Sequence, residues 1–120
     1  MEYTASQIRC LLALLALSRQ SEDIASKDVA RLLGVSRPSV HKALDLLCRE
    51  GLVEKYPYGA VHLSPAGDDL ARRLARRREA LMLLFTGRYG LTLDESSVAA
   101  MQLMSGLREE SLRRLTPDSP

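Results

Sequence analysis

Apolar positions recur at helical spacing in six stretches of the chain, and two shorter apolar stretches flank a Pro-Tyr-Gly turn. Ile8, Leu11, Leu12 and Leu15 follow the i, i+3, i+4, i+7 rule of one helix face. The preceding Thr4-Ala5-Ser6-Gln7 fits a capping box, in which a hydroxyl and an amide satisfy free backbone groups at a helix start. A first helix to about Ser18 is therefore expected, then a polar loop over 19–25. Ser26 is the expected N-cap of a short second helix through Val29 and Leu32, which Gly34 ends.

Ser36-Arg37-Pro38-Ser39 opens a third helix, because serine caps free N–H groups and proline is tolerated in a first turn that lacks intrahelical partners. Over its length, to about Glu50, Val40, Leu44, Leu47 and Cys48 share one face. Arg37, Ser39, His41, Lys42 and Asp45 lie towards the other. Gly51 is the stop signal. Leu52–Tyr56 and Ala60–Leu63 read as two strands of a hairpin around Pro57-Tyr58-Gly59. Ser64-Pro65 then caps a long helix to about Tyr89, with Leu70, Leu74, Leu81 and Leu84 or Phe85 as its stripe and Gly90 as its stop. Thr92-Leu93-Asp94-Glu95 is a second capping box, for a helix to Met104. Ser105-Gly106 separates it from a last short helix ending near Leu115, and 116–120 form a frayed tail.

The order helix, helix, glycine turn, polar-faced helix, hairpin predicts a mostly α fold: a winged helix-turn-helix domain over 1–67, then a linking helix and helical dimerisation region over 68–115. A helix-turn-helix must lay a capped, polar-faced helix in the major groove while its apolar face packs on its partner. No internal repeat, low-complexity tract or interdomain linker interrupts this order.

Composition sharpens the picture only a little. With 120 residues, 46% apolar and 27% charged, the chain suits one compact module with a helical extension and leaves no room for a substrate domain. The net charge is only +2, yet 26–88 hold 12 Lys and Arg against 7 Asp and Glu, so the basic part is the middle. This supports a DNA partner without establishing one. Cys10 and Cys48 lack metal-motif spacing and sit in apolar helical patterns, which favours buried free thiols and a reducing cytoplasm. The apolar run from Cys10 to Leu17 lacks a basic flank and is too short to span a bilayer, so no membrane partner is expected. No nucleophile-base pair, phosphate loop or carboxylate cluster points to an enzyme.

Three segments carry a resemblance. They are Ala30-Arg31-Leu32-Leu33-Gly34-Val35-Ser36-Arg37-Pro38-Ser39-Val40, then Leu46 to Glu54, then Tyr56-Pro57-Tyr58-Gly59-Ala60-Val61-His62-Leu63-Ser64-Pro65-Ala66-Gly67. Together they resemble the diphtheria-toxin-repressor and manganese-regulator family. The arginine-rich Leu70 to Leu84 and Tyr89-Gly90-Leu91 extend the likeness to that family's linking helix and the turn into its dimerisation helices. Regulators of the multiple-antibiotic-resistance type share the Leu-Ser-Pro-Ala-Gly segment and are the rival.

The resemblance implies an operator-binding homodimer on double-stranded DNA, normally a repressor activated by Fe(II) or Mn(II). On matching positions Ser36, Arg37, Pro38, Ser39, His41 and Lys42 face the groove, and Tyr58 in the wing lies near phosphate. A dimer through Leu11, Leu15, Leu84, Phe85, Val98 and Met101 is expected, because these offer apolar surface beyond what the small module buries.

The sequence departs from the family at the regulatory metal site, whose ligand positions fall on Ser6, Arg9, Arg78, Ala100, Leu103 and Met104. A one-residue shift of the last helix puts Ala99, Gln102 and Leu103 there instead, and neither register supplies the carboxylates and imidazoles that Fe(II) or Mn(II) needs. Arg9 and Arg78 add positive charge and no lone pair. The usual metal is therefore not expected as a cofactor. A remade site from Cys10, His62, Met101 or Met104 is the alternative, and a core role for the two methionines competes with it.

The run Arg72, Arg73, Arg76, Arg77 and Arg78 is a solvated helix face, a phosphate-contacting strip, or a partner for the acidic Asp94-Glu95 region of a second subunit. Arg78 in particular is expected to replace the metal's charge by ion pairing. The competing reading of the whole chain is a winged-helix module that binds protein, such as a heterodimerising modulator of a metal-dependent regulator.

Overall fold

The computed structural model describes residues 3–117. Helices α1 (Ala5–Ser18), α2 (Ser26–Leu33) and α3 (Arg37–Arg49) lead into strands β1 (Val53–Lys55) and β2 (Val61–Leu63), followed by α4 (Pro65–Gly87), α5 (Leu93–Gly106) and α6 (Glu109–Leu115). All six expected helices and the hairpin are present. The chain divides into two compact units, Ser6–Arg72 and, with the first residues, Arg73 onward.

The Ser6–Arg72 unit buries Ile8, Leu11 and Leu14 of α1, Val29 of α2, and Val40, Leu44 and Leu47 of α3. Three of the four expected apolar positions of α3 are buried; Cys48 is half-buried and Ala43 takes the remaining inward place. Gly34, in the left-handed region at φ 66°, ends α2 and lets its own N–H and that of Val35 return to carbonyls of α2. Ser36 then caps α3, its hydroxyl oxygen accepting the Ser39 N–H at 3.3 Å.

The N-cap of α2 is Ala25 and not Ser26, which lies inside the helix. The helix start is held instead from within, by the Asp28 carboxylate accepting the Ala25 N–H at 2.9 Å. Ala25 is set by an extended pairing that periodicity does not reveal. It bridges Ala60, and the Ile24 carbonyl accepts the Val61 N–H at 2.7 Å, so the 19–25 loop runs along the outer edge of the hairpin.

The hairpin pairs Val53 with Leu63, Glu54 with His62 and Lys55 with Val61. Its strands are shorter than expected, leaving out Leu52, Tyr56 and Ala60, and Pro57–Gly59 forms the expected turn at the tip. At the root, the Ser64 Oγ donates to the Gly51 carbonyl at 2.6 Å and accepts the Gly67 N–H at 3.0 Å, which fixes where α4 begins. Gly67 lies so close to this junction that a Cβ there would sit 1.8 Å from the Leu52 carbonyl oxygen.

In the second unit, Leu81, Ala100, Met101, Met104 and Leu112 are buried. α4 stops at Gly87, before the expected Tyr89, and α5 continues through Ser105-Gly106, whose residues were expected to separate helices. The Thr92 capping box forms as expected: Thr92 Oγ1 accepts the Glu95 N–H at 3.1 Å, and Glu95 Oε1 accepts the Thr92 N–H at 2.9 Å. Of the expected tail, 118–120 lie outside the described residues.

Candidate nucleic-acid interface

The capped start of α3 sets one face of that helix in solvent. Arg37, Pro38, Ser39, His41 and Lys42, together with the cap residue Ser36, are all exposed, while Val40, Ala43, Leu44 and Leu47 are inward. Pro38 in the first turn removes no intrahelical hydrogen bond, and Ser36 holds its hydroxyl against that of Ser39 at 2.9 Å. The structure thus brings all six expected groove residues onto one accessible strip of a packed helix.

The strip is joined to the hairpin by a contact that helical periodicity does not predict. Asp45, one turn beyond His41, pairs with Lys55 of β1. This pair, with the Lys55 ammonium foremost, holds the Asp45 carboxyl below its ordinary range. It neutralises the carboxylate next to the strip, and Arg37 and Lys42 make no ion pair among the described residues, so they are the strip's free cations.

The hairpin tip carries a second feature. Tyr58 adopts φ 72°, ψ 14°, and is the one non-glycine residue with positive φ among those described. Its ring is fully exposed. A left-handed conformation costs a residue with a Cβ about 1–2 kcal/mol, so the turn holds the ring outward at the expense of local strain. Next to the tip of the same hairpin, the Tyr56 hydroxyl donates to Glu54 at 2.5 Å, which raises the phenol's pKa, and the Tyr56 ring meets His62 edge-on at 5.1 Å.

The positions that correspond to the family's metal ligands are set out one by one by the fold. Ser6 and Arg9 are exposed on α1, Arg78 is half-buried on α4, Ala100 and Met104 are buried on α5, and Leu103 is half-buried there. Of these, only Ser6 and Met104 carry a side-chain lone pair, so the set does not fit a hard divalent cation. Among the described residues no group of three or more His, Cys, Asp or Glu could hold a metal ion. Of the residues considered for a remade site, Cys10 is buried and its thiol is pushed up to about 11 by burial, which disfavours the thiolate a metal requires. His62 is engaged by Tyr56, and Met101 and Met104 are core residues.

Where Arg78 was expected to make an ion pair, the buried pair belongs to its neighbour. Arg77, with 7% of its side chain exposed, makes a bidentate contact to Glu109 at the start of α6, at 2.7 and 2.9 Å. The Arg77 guanidinium holds the Glu109 carboxyl below its ordinary range. The Nε of Arg78 is buried without a hydrogen-bond partner. Within the arginine run, Arg72 pairs with Asp68 on the same helix at 2.8 Å, and Arg76 is exposed. Glu95 is occupied by its own capping box.

Of the residues expected at a dimer interface, Leu11, Leu15 and Met101 are buried inside this chain, because each lies on the inward face of its helix. Leu84 and Phe85 are half-buried, and Val98 is exposed. Leu83, Tyr89 and Leu93 are exposed apolar side chains of the same unit that periodicity did not single out.

The family match falls on the same elements. Residues 4–58 match the MarR family, which covers α1 through the tip of the hairpin. The transcriptional regulator MntR of Escherichia coli O6:H1 is 36% identical over 63 residues, covering 52% of this chain and 41% of that protein. Among solved structures, the manganese regulator SloR superposes over the whole chain, with a TM-score of 0.80, 25% identity and 56% of that protein covered. The chain is thus similar to manganese-responsive regulators in sequence over its first half and in fold over its whole length. The manganese-activated repressor ScaR in its apo form gives a TM-score of 0.67 at 26% identity, over 92% of this chain and 53% of that one. The chain spans about half the length of the relatives it matches. No helix among its described residues is long and apolar enough to cross a membrane.

Proposed function

We propose that the chain is a sequence-specific DNA-binding transcriptional regulator, acting as a homodimer and not as an enzyme, that does not use the metal site of its relatives. The observation that carries this is α3: a Ser36-capped helix whose apolar face is buried and whose exposed strip presents Arg37, Ser39, His41 and Lys42 beside a hairpin. Such a strip fits the major groove, where arginine and lysine donate to guanine edges or phosphates and serine and histidine serve either purpose. Tyr58, exposed at the tip of the hairpin, is the residue assigned in this reading to the backbone next to the groove.

The dimer is supported by Val98, Leu83, Leu93 and Tyr89, apolar side chains left in solvent in one short helical unit. A cytoplasmic repressor is the reading that fits these features and the names of the relatives. Metal independence is supported by the donor chemistry: two arginines, an alanine and a leucine stand at four of the six ligand positions. The test is operator selection from genomic fragments, with binding measured in chelator and again with Mn(II), Fe(II) or Zn(II). Equal affinity in all conditions is expected; affinity that appears only with one metal overturns the metal-independent part.

A further inference from the structure

The Ser6–Arg72 unit carries a cleft of about 600 Å³ that the groove face does not use. It lies where the end of α1, the 19–25 loop and α2 meet, lined by Leu17, Ile24 and Leu32 with Asp23, Asp28 and Arg31 around them. A volume of this size is within the range of small-molecule sites, which combine apolar walls with a few converging polar groups.

The charges in the lining select among ligands. The Arg31 guanidinium makes no hydrogen bond or ion pair among the described residues, and Leu32 beside it is an apolar side chain left half in water. Asp28 gives one carboxylate oxygen to the Ala25 N–H and keeps the other. A simple anion would meet two carboxylates, and a simple cation would leave Arg31 unmatched. A molecule with both charges and an apolar body complements the whole lining.

We propose that this cleft binds a small amphoteric molecule of the aliphatic α-amino-acid class. Its carboxylate lies on Arg31, its ammonium on Asp23 and the free oxygen of Asp28, and its side chain against Leu17, Ile24 and Leu32. The regulatory meaning rests on the DNA-binding reading. The Ile24 carbonyl accepts the Val61 N–H and Ala25 bridges Ala60, so the wall of the cleft is also the backbone that anchors the wing. The Asp28 carboxylate meanwhile holds the start of α2, which packs on α3. A ligand there touches the supports of both DNA-facing elements.

The test uses the full chain, labelled with nitrogen-15 and free of DNA, titrated with L-leucine, 4-methylpentanoate and 3-methylbutylamine. The last two are leucine without its ammonium and without its carboxylate. Leucine is expected to shift the amides of Leu17, Ile24 and Arg31 and, through the bridge, those of Ala60 and Val61. Each single-charge analogue is expected to bind about tenfold more weakly, the equivalent of one lost charge-assisted contact. Arg31→Gln and Asp23→Asn, both at exposed positions, are expected to weaken leucine by a similar factor.

Absence of these shifts at about 10 mM leucine, weaker than ordinary small-molecule recognition, overturns the site. So does an amine that binds as tightly as leucine. Because the titration contains no DNA, failure of operator binding leaves its outcome untouched. In a second arm, saturating leucine is expected to change operator affinity by about fivefold or more, the low end of usual coupling between sites. An unchanged affinity removes the link to the wing.

Discussion

At the scale of single residues, the pairing of Arg77 with Glu109 makes an asymmetric prediction. Arg77 is almost wholly buried, whereas Glu109 keeps 53% of its side chain exposed. Glu109→Ala leaves a buried guanidinium without its carboxylate and is expected to cost about 2–3 kcal/mol, the lower part of the range for broken buried pairs because water reaches this one. Arg77→Met leaves only a carboxylate that water can solvate and an apolar chain of similar length, so a loss of about 1 kcal/mol or less is expected. Urea denaturation of both variants reads the difference; equal losses would contradict the assigned burial. The pH dependence has a definite sign. Arg77 holds the folded-state carboxyl of Glu109 below its ordinary value of 4.5, so its contribution is complete above that value and fades as pH falls through the lowered one. Below about pH 5 the parent chain should lose stability more steeply than Arg77→Met. Gly67 makes a simpler prediction. A Cβ at 1.8 Å from the Leu52 carbonyl oxygen forces the α4 start away from the hairpin root, so Gly67→Ala should destabilise by about 3 kcal/mol, the upper end for overpacking, read as a lowered Tm.

At the scale of elements, capping sets the starts of α3 and α5, and both starts were written in the sequence. Thr92→Ala removes the oxygen that takes the Glu95 N–H and should lower stability by about 1 kcal/mol, with Glu95→Gln costing less because an amide can still complete the box. A Thr92→Ala chain as stable as the parent in urea would show that α5 is held by packing alone. Those starts were legible because hydroxyl, proline and acid act on neighbours within one turn. The groove face of α3 was legible too, since a period of 3.6 separates Val40, Leu44 and Leu47 from Arg37, His41 and Lys42. What the sequence hid are contacts between positions far apart along the chain: Lys55 on Asp45, Arg77 on Glu109, and the bridge from Ala25 to Ala60. The bridge also explains the missed cap of α2, because alanine has no capping side chain and is placed there by strand pairing. The choice of Arg77 over Arg78 depends on helix rotation by one residue, a finer distinction than an unbroken arginine run can encode. Leu11, Leu15 and Met101 were read as surplus apolar surface for the same reason: periodicity shows that a face is apolar and says nothing of what covers it.

At the scale of the whole molecule, the wing and α3 make separable contributions to the proposed binding of DNA. Lys42 and Arg37 are the free cations of the groove strip, since the neighbouring Asp45 is neutralised by Lys55. A cation that touches phosphate releases a counterion, so replacing it weakens binding on every sequence and flattens the dependence on salt by about one unit of slope. One that reads a base instead relaxes specificity at one position and costs about 1–3 kcal/mol there. Lys42→Ala and Arg37→Ala, compared across several salt concentrations and on single-base operator variants, therefore sort the two roles. Tyr58 should behave differently from both. Tyr58→Gly relieves the left-handed strain and should raise stability by up to about 1–2 kcal/mol while weakening operator binding, with the salt slope nearly unchanged because no charge is lost. Stability and affinity that rise together, or an affinity that does not move, would mean that the wing tip is a turn and not a contact. A gain in stability opposed by a loss in affinity would place the exposed ring on DNA, for then the strain at φ 72° is kept in the free protein for the sake of the complex.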